Sequence, residues 1–149
     1  MDQAKRKQKK FEPIVKARKA ELEQQQVALA KARKKRLEAV SELRSNQQVY
    51  LDGVDRLNQQ RKSGEMKSLL TLESSLDTIK SRLYENIKEV RFREQEERSH
   101  IDSVLDAQSR LNAIEKLRDK YRDIAVKNQQ LRDQKELDEI GTQQKQRDR

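Results

Sequence analysis

Counting by sevens from Val15 reaches Leu22, Leu29, Arg36, Leu43, Tyr50 and Leu57, so one register stays apolar at every position but Arg36. Phe11, Ala32, Ala39, Val40 and Val54 fall three or four residues away from members of that series. Apolar side chains at this spacing form one narrow stripe on a helix, the pattern of a coiled-coil seam. Between Ile14 and Lys62 only Gly53 opposes helix on propensity. Pro13 is tolerated in a first helical turn, which predicts a helix from about residue 12 with frayed residues before it. Arg61-Lys62-Ser63-Gly64 supplies basic side chains for a last turn and a glycine just beyond, so the first helix is expected to end near 62.

A second series, Leu69, Leu76, Leu83, Val90, Glu97, Val104 and Leu111, repeats at seven with Leu72, Ile79, Ile87, Ile101 and Ala107 between its members. Ser68 or Thr71 is the expected cap of this helix, with Glu73 and Asp77 near its positive end. Around Leu111, Ile114 and Leu117 the spacing reads three plus three, and Tyr121, Ile124, Asn128 and Leu131 then resume the alternation. That irregularity predicts a stammer, a local overwinding of the supercoil. Residues 142–149 contain no aliphatic or aromatic residue and are expected to be a frayed polar tail.

The fold class that follows is all-α. Two long helices, about 12–62 and about 68–140 with a turn at about 63–67, form an antiparallel coiled-coil hairpin spanning 1–141. In such a hairpin position i faces about 130 − i, which sets Val15 near Glu115, Leu43 near Ile87 and Leu57 near Leu72. The N-terminal segment then lies beside Ile124 to Asp138. Pairing of two chains instead of folding back of one is the alternative architecture.

Composition removes the other classes. Only 32% of the 149 residues are hydrophobic and 3% aromatic, against 41% charged, and the mean hydropathy is −1.22. This is too little apolar bulk for a compact globular core. A sustained seven-residue phase argues against disorder, which has no reason to keep one. There is no cysteine, so disulfides and thiolate metal sites are excluded. No apolar run follows the basic start and none approaches a membrane span, which predicts a cytoplasmic protein without membrane insertion. The net charge of +9 is carried by residues 1–36, which hold 13 Lys and Arg against 4 Asp and Glu; the remainder is balanced.

No catalytic constellation is legible, and no catalytic residue, metal or cofactor is expected. His100 is the only histidine, flanked by Ser99 and Ile101, and reads as a surface or seam-edge residue. The three glycines are isolated, which excludes a glycine-rich phosphate loop. Lys5-Arg6-Lys7-Gln8-Lys9-Lys10 and the clusters Lys16-Arg18-Lys19 and Lys31-Arg33-Lys34-Lys35-Arg36 invite an acidic partner, nucleic acid or an acidic lipid surface. Stacking aromatics are absent around them, so a basic coiled-coil nucleic-acid binder ranks below a protein-binding role. Leu70 and Phe92 break the seam spacing and are expected to face outward as part of a partner surface near the turn.

The two-helix layout, the turn near the middle and the C-terminal stretch Asp133-Gln134-Lys135-Glu136-Leu137-Asp138-Glu139-Ile140 resemble the FliJ family, the soluble coiled-coil component of the flagellar type III export apparatus. The resemblance implies a non-enzymatic protein, peripherally associated with the inner membrane at the flagellar base. Its implied partners are the hexameric export ATPase FliI, which it binds and stimulates, the export gate protein FlhA and export chaperones, with no small-molecule substrate. It also implies gate binding at Leu43, Tyr50, Leu72, Leu76 and Ile79, although Leu72 stands where the family often has an aromatic and Asn46 where it often has a tyrosine. ATPase binding falls on Arg33, Lys34, Lys35, Gln134, Lys135 and Asp138. The counterpart of FliJ in injectisome type III secretion is the nearest alternative.

Overall fold

A computed structural model describes residues 3–148 as two helices, α1 (Gln3–Ser63) and α2 (Met66–Arg147), with no strand among the described residues. Between them Gly64 adopts a left-handed φ of 78°, and its N–H donates to the Gln60 carbonyl at 3.1 Å. This closes α1 with the expected glycine stop, because a left-handed residue costs glycine nothing and recovers a carbonyl orphaned by the helix end. The turn needs only Gly64 and Glu65, so α2 resumes at once. Ser68 and Thr71 therefore lie inside α2 and do not cap it. Ser68 Oγ donates to the Glu65 carboxylate, and Thr71 Oγ1 donates back to the Lys67 carbonyl.

Two boundaries differ from expectation. α1 starts at Gln3, not near 12, and Pro13 sits inside it. Ala4 is buried and Phe11 stacks on Tyr121 with ring centroids 5.7 Å apart, so packing holds the turns that precede the proline. α2 continues to Arg147, through the residues expected to fray from 142 onward. Arg149 of that expected tail, together with Met1 and Asp2, lies outside the described residues.

The described residues divide into two compact units, one comprising Gln25–Val104 and holding the turn, the other combining the residues up to Gln24 with those from Leu105 onward. In each unit the helices run antiparallel. In the turn unit Arg36 pairs with Glu97, Asn46 with Asn86 and Arg61 with Glu73. The partners' numbers sum to 133, 132 and 134. In the terminal unit Phe11 meets Tyr121 and Glu21 meets Arg110, with sums of 132 and 131. The register is thus one to four residues beyond the expected 130.

Buried and half-buried positions alternate at three and four from Ala4 to Gln60 in α1 and from Leu69 to Asn128 in α2. The expected stammer near Leu111 does not occur. Leu111, Ile114, Arg118, Tyr121, Ala125 and Asn128 keep the alternation, whereas Leu117, Ile124 and Leu131 stand off it and are exposed. The apolar residues had suggested a shift of phase because polar and small residues occupy several true seam positions. Likewise Asn86, not Ile87, lies in the seam.

Candidate partner-binding surfaces

In the turn unit the five residues of the expected gate surface all occupy seam positions. Leu43, Tyr50, Leu72 and Ile79 are half-buried, while Leu76 is buried. Gly53 explains Leu76: a methyl placed on that glycine would meet Leu76 Cδ2 at 2.6 Å. The missing side chain lets leucine close against the α1 backbone. Four of the five thus show part of their surface, and the fifth holds the helices together.

Leu70 and Phe92 face outward as expected, 62% and 54% exposed. Arg93 lies 5.2 Å from the Phe92 ring centroid and hydrogen-bonds Glu96 and Glu89, which hold its guanidinium pKa above the ordinary value. Arg33 Nε lies 3.6 Å from Glu97, and Lys34 and Lys35 are exposed on the same stretch of α1.

Sequence reasoning missed two polar layers of this seam. Arg36 Nε donates to Glu97 Oε2, and the carboxylate is only 15% exposed. Asn46 Nδ2 donates to Asn86 Oδ1 at 2.6 Å. A polar pair in a seam costs stability but is satisfied only when the helices meet in one alignment. The signal for the first pair was present. Arg36 and Glu97 are the sole charged members of the two seven-residue series, and their numbers sum to nearly the expected value.

In the terminal unit Lys7 Nζ stands 5.0 Å over the Tyr121 ring that Phe11 stacks on. Lys5 and Gln8 of α1 and Arg122, Val126, Gln129 and Arg132 of α2 line an open groove of about 310 Å³. This agrees with the basic N-terminal segment lying beside α2 from Ile124, but the contact does not reach Asp138. Every described residue from 129 onward is exposed, including Gln134, Lys135 and Asp138. The six residues expected to bind the ATPase are consequently divided, three in each unit.

Among the described residues no helix is long and apolar enough to cross a membrane, and no group of three or more His, Cys, Asp or Glu is placed to hold a metal. Continuous three-four seams and antiparallel cross-helix pairs define an α-helical coiled-coil hairpin protein. The family model described as Flagellar FliJ protein matches residues 7–149. The chain belongs to the FliJ family and is a flagellar export component. No curated protein and no solved structure matches it.

Proposed function

We propose that the chain binds and stimulates the hexameric export ATPase FliI and couples it to the gate protein FlhA, with a role in handling export chaperones at the inner face of the membrane. Family membership across residues 7–149 carries this reading. The distribution of side chains supports it. Exposed Leu70 and Phe92, with half-exposed Leu43, Tyr50, Leu72 and Ile79, offer apolar contact for FlhA in the turn unit. Arg33, Lys34 and Lys35, with Gln134, Lys135 and Asp138, offer exposed polar contacts for FliI.

The direct test measures ATP hydrolysis by FliI with the wild-type chain and with a triple variant carrying Arg33→Glu, Lys34→Glu and Lys35→Glu. Weaker stimulation with an unchanged helical signal is expected. Full stimulation removes these residues from the interface. For the gate, Tyr50→Ala and Leu72→Ala should weaken FlhA binding by more than their melting temperatures account for. A loss of binding that tracks the loss of stability assigns both residues to the seam alone.

A further inference from the structure

The residues that mimic a stammer form a surface of their own. Leu117 and Ile124 each precede a seam residue, Arg118 and Ala125, and Leu131 repeats the spacing once more. They are 40%, 36% and 64% exposed. The Glu21–Arg110 ion pair, 3.4 Å long, identifies the α1 positions on the same edge. In that register Ile14, itself 40% exposed, stands opposite Leu117, and Lys7 stands opposite Ile124. Leu117, Ile124 and Leu131 thus run in file along one edge of α2 in the terminal unit, with Ile14 beside Leu117 across the seam.

Cations border the file and outnumber the carboxylates beside Ile124, which are Asp119 and Asp123 against Lys116, Lys120 and Lys127. Lys10, Lys120 and Lys127 are exposed, and each lies three or four residues from a position on this edge and so beside it on the helix surface. The paired segments around them concentrate the charge of the whole protein. Residues 3–20 hold eight basic residues against one acidic, and 113–132 hold six against three, a net +10 where the entire chain has +9. Antiparallel pairing thus adds a basic part of α2 to the basic start of α1.

We propose that this edge accepts an acidic amphipathic helix of another protein as a third strand. Aliphatic residues at seven-residue spacing on that helix fill the file formed by Ile14, Leu117, Ile124 and Leu131. Its flanking Glu and Asp meet Lys10, Lys120 and Lys127. The width of the file selects this occupant. A bilayer takes up a broad apolar face, and this one is one residue wide except where Ile14 stands beside Leu117. Nucleic acid gains nothing from aliphatic side chains at heptad spacing. A second copy fits poorly. The acidic segment of this chain carries Leu137 and Ile140, but the positions seven residues from them are Gln130, Gln144, Asp133 and Arg147, so it presents no aliphatic line at seven-residue spacing. Leu131 borders Gln134 and Lys135, which the export reading gives to FliI, whereas Ile14, Leu117 and Ile124 lie on residues that reading leaves unused, so the Ile124 variant separates the two proposals.

The test uses the full-length chain and a labelled synthetic three-heptad peptide with Ile and Leu at its core positions and Glu at the flanks, read by fluorescence anisotropy at physiological salt. Ile124→Asp and Leu131→Asp should each weaken binding by about tenfold or more, since each removes an aliphatic contact and adds a charge that repels Glu. Both should melt as the wild type does. Val126→Asp, on a different face of α2, should bind as wild type, and a peptide with Lys in place of Glu should not bind. Undiminished binding by the Ile124 and Leu131 variants overturns the proposal, as does equal binding of the Lys peptide. Tighter binding of phosphatidylglycerol vesicles or duplex DNA than of the peptide assigns the edge to that ligand and also overturns it. A fall in melting temperature that accounts for the lost affinity makes the file structural.

Discussion

Polar residues enter the seam of both units, but among the described residues the polar side-chain pairs that reach across the seam itself lie in the turn unit. In the turn unit Arg36 reaches across to Glu97 and Asn46 to Asn86, although Arg93 pairs within α2 with Glu89 and Glu96. In the terminal unit the seam cations Arg18 and Arg118 pair within their own helices, with Glu21 at 2.9 Å and Asp119 at 3.2 Å. A cross-helix pair is satisfied at one alignment only, whereas a pair within one helix survives any sliding of the partner. The turn unit therefore fixes its register with polar pairs inside the seam, and the terminal unit fixes its own with the more exposed Glu21–Arg110 pair, Ala4, Val15, Leu22 and the Phe11–Tyr121 stack.

The largest effect that would sharpen this contrast is expected at the tightest seam contact. Leu76→Ala should cost about 2–3 kcal/mol by emptying the space against Gly53. Adding Gly53→Ala should recover part of that loss, because the new methyl occupies the vacated volume and alanine favours helix. Denaturant unfolding of both single variants and the double variant checks this, and additive losses would show that the two residues do not pack on one another.

A smaller effect tests the polar layer. Glu97→Ala strands Arg36 in the seam and should destabilise by about 1–2 kcal/mol. Arg118→Ala in the terminal unit should cost less, about 0.5–1 kcal/mol, because its ion pair is local to α2 and its removal strands no partner across the seam. Equal losses in thermal melts would break the distinction between the units. Pro13→Ala should instead stabilise, by about 1 kcal/mol or more, as an amide donor returns inside α1 to the Lys9 carbonyl. Hydrogen exchange should show slower amides confined to the first turns of α1. Protection unchanged there would mean that the packing of Ala4 and Phe11 already holds those turns fully.

Much of the fold was legible because a seven-residue phase is set by a few large apolar residues. Val15 through Leu57 fix the α1 stripe, and Leu69 through Leu111 fix that of α2. Where seam positions are taken by Asn86, Arg118 and Asn128, the period persists in the structure but fades from the sequence. Neighbouring Ile87, Leu117 and Ile124 then draw the eye to the wrong face. The start of α1 was hidden for a different reason. Pro13 signals a boundary by local rules, and the stacking of Phe11 on a residue 110 positions away overrides it. The outward placement of Leu70 and Phe92 followed directly from their departure from seam spacing. The seam position of Leu76 followed from its spacing as well, but its close approach to the α1 backbone did not, because that depends on the absent side chain of Gly53.

The two-residue turn at Gly64 also orders the folding of the chain in time. Contacts beside it join residues only 12 apart, Arg61 with Glu73, whereas Phe11 and Tyr121 are separated by 110. Closing a short loop costs less conformational entropy than closing a long one, and each pair formed near the turn shortens the loop left for the next. The helices thus zip from Gly64 outward, passing the Asn46–Asn86 and Arg36–Glu97 alignment checks before the basic segments meet. Opening follows the reverse path, so the Phe11–Tyr121 stack, beyond Ile14 and Leu117, is among the last contacts to assemble and the first to be lost.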